Sequence, residues 1–344
     1  MVKDREYARA LSRRAIDENL MSETKDAYSK IPNVERYGAT PEYQHYARPY
    51  SEIIRMMRAV YHLDELSDLV NLSDEDMRDY YQARHEKMAA SVRSGAISNT
   101  AKDTLIRLDR EIKAPFIFEY IDGFDNLIGG IYTIGIACAF ALAVCLAPMF
   151  AGEYNSRADQ LILSAKLGKN KLISAKLFTA ISLFVAFFAL LFFLAVTLCQ
   201  SIYGFNGANA PFQLIIPLNF YPITILQSVL IFSISAFFGT FLVVAVTLLL
   251  SSKLKSSFGV IILISILIFV PMMLHVPETI VWFHNLFSLL PTSMMSFGTV
   301  FSDVPFDFFG LIVLPCVFLP IFAVLASIVM LPFARRAFRN HQIG

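Results

Sequence analysis

DNLIGGIYTIGIACAFALAVCLAPMF, residues 125–150, carries one charge at its first position and none after it. A helix rises about 1.5 Å per residue, so about 20 apolar residues cross a hydrocarbon layer of about 30 Å. Backbone groups find no water there, so a run this long reads as a helix that satisfies its own hydrogen bonds. Working outward, apolar runs lie near 126–150, 177–202, 223–250, 258–274 and 311–333, the fourth being the shortest. The fold class expected is all-α, a polytopic membrane helix bundle with five spanning helices in 125–344. None of the five cores holds a charged residue. That argues against an ion pathway, a proton relay or a voltage sensor, each of which uses charge inside the membrane.

The other end of the chain has a different texture. Hydrophobic residues make up 56% of the 344 and charged residues 17%, against about 25% charged in an average soluble domain. The charges are segregated: residues 1–124 hold 19 Lys/Arg and 22 Asp/Glu, and residues 125–344 hold 10 and 6. Residues 1–124 therefore read as a soluble helical domain, with helices near 3–29, 42–70, 73–93 and 100–113. Ser73 followed by Asp74, Glu75 and Asp76 has the form of a capped helix start with acids in its first turn. Apolar residues are too sparse there for a large core. The four cysteines, Cys138, Cys145, Cys199 and Cys316, all fall in apolar stretches, which excludes a disulfide framework and a CxxC metal site. No basic surface interleaved with aromatics points to nucleic acid.

Loop charges set an expected orientation. Arg157, Lys166, Lys169, Lys171 and Lys176 lie in 151–176, Lys253 and Lys255 in 251–257, and Arg335, Arg336 and Arg339 in the tail. The alternate loops, 203–222 and 275–310, have neither Lys nor Arg. By the positive-inside rule the C-terminus is cytoplasmic and residues 1–124 are extracytoplasmic. A charged domain of that size does not cross a membrane without a leader or anchor, so a further helix upstream of Met1 is expected, giving six in full.

The segment 150–177 is the most informative. Ser156 and Asp159 fit a capping box, Leu161, Ile162, Leu163 and Leu167 give an apolar side, and Gly168 suits the residue that ends a helix. Lys169, Lys171 and Lys176 then fall at headgroup level. Residues alone leave two readings, an interfacial helix with snorkelling lysines or a docking surface for a cytoplasmic partner.

Gly152-Glu153-Tyr154, the short Leu-Ile-Leu-Ser helix and the Gly168-to-Leu177 stretch resemble the first cytoplasmic loop of ABC-2 type permeases, the membrane subunits of one class of ATP-binding-cassette transporter. The resemblance implies a coupling helix that docks on a separate ATPase. It carries that role to Glu153, Arg157, Asp159 and Lys169, with Leu161 on the docking side. It also implies a second permease, identical or paralogous, and an extracytoplasmic segment between the first two helices. The stretch Asn285-Leu-Phe-Ser-Leu-Leu-Pro291 resembles a re-entrant turn before the last spanning helix; from its residues alone it is an interfacial segment anchored by Trp282.

No nucleotide site is legible: Gly168-Lys169 lacks the upstream glycine of a Walker A loop, and His275, Glu278 and His284 match no standard metal spacing. No cofactor, metal or catalytic residue is expected, and ATP hydrolysis is expected in the partner. The function implied is export of a substrate the sequence does not name, with uncharged helices favouring an amphipathic or lipid-like cargo. The alternative is a non-transporting membrane sensor or peptide-immunity subunit.

Overall fold

Long apolar runs become long helices because lipid leaves the backbone no other partner. The structure is a computed structural model that describes residues 11–32, 37–61, 63, 66–164, 171–274 and 276–340. Its helices are α1 (Glu18–Ser29), α2 (Ser51–Tyr61), α3 (Leu66–Val70), α4 (Asp74–Arg78), α5 (Tyr80–Ser94), α6 (Asn99–Arg110), α7 (Asp122–Leu146), α8 (Pro148–Asn155), α9 (Ala158–Ser164), α10 (Ile173–Tyr203), α11 (Ile225–Lys253), α12 (Ser257–Met273), α13 (Val281–Ser288), α14 (Pro291–Met294), α15 (Phe297–Val300) and α16 (Pro315–Arg339). Among the described residues four stretches are long and apolar enough to cross a membrane: Asp122–Asn155, Ile173–Tyr203, Ile225–Lys253 and Pro315–Arg339. The fifth expected helix, α12, is apolar but only 17 residues long. The chain is an all-α, polytopic membrane protein.

Two compact units divide the chain. One is Met1–Asn126 with Cys199–Val229, the other Leu127–Leu198 with Leu230–Gly344. In the first, α5 and α6 form an antiparallel hairpin, and Ser73 caps α4 as expected: its hydroxyl accepts from Asp76 N at 3.1 Å while Asp76 accepts from Ser73 N at 2.9 Å. The expected helices break where proline intervenes, a π-turn and a 3-10 turn filling Tyr43–Tyr50 around Pro49. The sparse apolar content of the N-terminal segment is met by borrowing: Phe212, Leu214, Phe220 and Tyr221 from 199–229 are all buried. Fully buried Arg84 holds that loop. It donates to Pro217 O at 2.8 Å, to Asn219 O at 2.6 Å and to Asp109 Oδ1 at 2.8 Å.

In the second unit, α11 and α12 are joined by three residues, with Ser256 capping α12 through Gly259 N at 3.2 Å. Pro271 lies inside α12 and has no N–H to give the carbonyl one turn back. The Thr292 hydroxyl reaches that stretch, 2.9 Å from Ile268 O and 3.5 Å from Leu267 O. Ser235 of α11 donates to Met294 O at 2.8 Å. Gly239 stands where a Cβ would come within 3.0 Å of Pro291 O, so the absence of a side chain admits the segment. Gly239 is 14 residues into α11, roughly 21 Å from its start at 1.5 Å per residue. Residues 291–295 thus pack against the middle of α11.

One boundary differs from expectation. Leu311–Val313 continues the last apolar run in sequence, yet it is a strand paired antiparallel with Phe306–Phe308. The hairpin turns at Phe309 (φ 56°) and Gly310 (φ 96°), with Asp307 accepting from Gly310 N at 2.7 Å. The helix begins only at Pro315, where a missing N–H costs nothing at a first helical position.

Candidate functional site

Pro148 interrupts the first long helix and starts α8. The first N–H groups of a helix have no intrahelical acceptor, and here a neighbouring helix supplies one. Ser251 of α11 accepts from Phe150 N and Ala151 N, both at 3.1 Å, and donates to Ala147 O at 2.7 Å. Tyr154 donates to Ser252 O at 2.9 Å. Glu153 pairs with Lys176 of α10, each retaining 18% side-chain exposure. The Lys176 ammonium also donates to Met149 O at 2.6 Å and lies 5.2 Å above the Phe150 ring and 5.9 Å above that of Phe338. Phe150 and Phe338 are in ring contact at 4.8 Å. Four helices, α8, α10, α11 and α16, are therefore clamped at one end around Gly152-Glu153-Tyr154.

The expected site residues separate into different environments. Glu153 points inward to its clamp partner. Lys176, expected to snorkel, is drawn into the same pair because a carboxylate among aromatic rings requires a counter-charge. Ser156 closes α8 instead of opening α9: its hydroxyl donates to Gly152 O at 2.9 Å and Glu153 O at 3.3 Å. Arg157 is exposed and sits in the left-handed region at φ 55°, forming the corner between α8 and α9. Leu161 in α9 is 77% exposed. Asp159 belongs to α9 by its backbone, and Lys169 and Gly168 lie outside the described residues. The structure thus brings Arg157 and Leu161 to an exposed helical corner directly after a rigid clamp. Ser251, Ser252 and Phe338 complete that clamp and were not singled out by sequence; a hydroxyl pair at the end of an apolar run is the one signal they carry.

This geometry, a kinked first helix followed by a short exposed helix on a clamp, coincides with a match of family scale. The family model described as "ABC-2 family transporter protein" matches residues 18–329. The chain belongs to the ABC-2 transporter family. It is accordingly a membrane permease of an ABC transporter, the membrane subunit and not itself catalytic. Comparison of this permease with the curated proteins and with the solved structures returned no match. Among the permease's described residues, no three His, Cys, Asp or Glu side chains converge as metal ligands would.

Proposed function

We propose that this permease is an exporter driven by a separate ATP-binding-cassette ATPase, which docks on the corner formed by α8 and α9. A second permease, identical or paralogous, completes the pathway. The α9 side faces the cytoplasm, and residues 1–124 face outside. The observation that carries the reading is the contrast between a buried Glu153–Lys176 clamp and an exposed Arg157–Leu161 corner. A force on α9 is passed through α8 to the ends of three long helices, because the clamp leaves little slack. A flexible loop in that place would absorb it.

The test is the pair Arg157→Glu with Leu161→Asp. Both positions are exposed, so stability changes by no more than about 0.5 kcal/mol and the protein accumulates normally. Co-purification of the ATPase falls at least tenfold, and transport-linked ATP turnover in reconstituted membranes is lost. Unchanged association together with unchanged turnover would leave α9 a bare interfacial helix and remove the coupling role.

A further inference from the structure

A cavity of about 330 Å³ lies in the second unit, between Tyr132 of α7, the end of α12 and the short helices α13–α15. That is the small end of the range for ligand sites, about 300–1,000 Å³. Three wall hydroxyls are used by the fold. Thr292 bonds Ile268 O, Ser288 bonds His284 O at 2.8 Å, and Ser302 accepts from Val304 N at 3.1 Å. Three others, Ser293, Ser296 and Thr299, line the cavity and make no side-chain hydrogen bond among the described residues. Ser293 is buried while Ser296 and Thr299 are half-buried, so these hydroxyls face the open side of the cavity, where water or a ligand can meet them.

Two further features narrow the ligand. Met272 and Leu274 belong to the wall, yet are 44% and 55% exposed. The polar cavity is therefore continuous with apolar outer surface. Among its described wall residues there is no Lys or Arg, and Glu278 is the one carboxylate. That charge set repels an anion.

We propose that the cavity binds the uncharged, hydroxyl-bearing headgroup of an amphiphile whose chains lie on the apolar rim. The free hydroxyls of Ser293, Ser296 and Thr299 exchange hydrogen bonds with the headgroup. Gly298 is exposed on the cavity lining and its Cβ position has no atom within 4 Å, so the cavity is open at that point for a headgroup to enter. That this amphiphile is the cargo rests on the export reading; the binding itself does not, because it needs neither ATPase nor turnover.

The experiment measures equilibrium binding of tritiated dioctanoylglycerol to the detergent-purified full chain. Saturable binding is expected. Ser293→Ala with Thr299→Val weakens it about tenfold, the value of two hydrogen bonds of about 0.7 kcal/mol each. Gly298→Leu fills the cavity and abolishes binding with the melting temperature unchanged. Dioctanoyl phosphatidate, with the same chains and an anionic headgroup, competes at least tenfold less well. Absent saturation, equal binding by the Gly298→Leu variant, or equal competition by phosphatidate would overturn the proposal. Free glycerol competing as well as the diacyl compound would overturn it too, since the site would then take a soluble polyol. Any of these results leaves the ATPase-docking test above standing on its own.

Discussion

Glu52 shows how one residue's surroundings become a measurable property of the first unit. Burial pushes its carboxyl up to about 7, with Asp122 and Asp125 adding to the rise and the ion pair with Arg55 opposing it. Between pH 4.5 and 7 the folded chain therefore binds more protons at this position than the unfolded chain. The stability that protonated Glu52 contributes is full below about pH 4.5 and is lost as pH rises through 7. A shift of that size corresponds to of order 2 kcal/mol after allowing for the partial exposure of the side chain. Glu52→Gln is thus expected to melt higher than the parent at pH 8 and close to it at pH 5, by thermal unfolding in detergent. Parallel melting curves across pH would contradict the assignment. Such residues were legible only where their partners are near in sequence. Ser73 was readable as a cap because Asp76 is three residues away. Glu153 carries a coupling role only through the family resemblance, and its pairing with Lys176, 23 positions on, has no local sign in the sequence. Arg84 has no local sign in the sequence for the same reason: its carbonyl acceptors lie 133 and 135 positions away.

At the scale of elements, the long helices were legible because hydrocarbon thickness dictates their length and lipid forbids charge along them. α10, α11 and α12 begin and end within four residues of the apolar runs that announce them. Leu311–Val313 misled because an apolar triplet before a helix reads as its first turn; pairing with Phe306–Phe308 is settled by the turn at Phe309-Gly310. The clamp between α8 and α10 was illegible as a unit, yet it yields a clear expectation. Glu153→Gln and Lys176→Met each strand a mostly buried partner, and breaking such a pair costs about 3–5 kcal/mol. The double variant removes both charges, so its loss is smaller than the sum of the two by at least about 1 kcal/mol. Thermal unfolding of the four proteins in detergent gives the coupling; simple additivity would show that the two side chains act independently.

For the whole molecule, membership of the family, the run of apolar helices and the change of texture near residue 125 were present in the sequence, whereas the addition of residues 199–229 to the first unit was not. Cys199–Val229 joins the N-terminal segment through packing of Phe212 and Phe220, a contact that no local pattern announces. Lipid-type surroundings suit the long helices: in α10 only 11% of the most apolar window is buried within the chain, against 56% for α11. Leu190 and Phe193, both 65% exposed, leave an apolar face on α10 that suits lipid or the proposed second permease. On the proposed function the α8–α9 corner, and not the first unit, meets the ATPase. A photoreactive phenylalanine analogue placed at Leu161, and separately at Phe205 in the first unit, tests it most directly in membranes containing the full transporter. Irradiation is predicted to yield an adduct containing the ATPase from position 161 and none from position 205. An ATPase adduct from position 205, or none from position 161 while the ATPase still co-purifies, would contradict it.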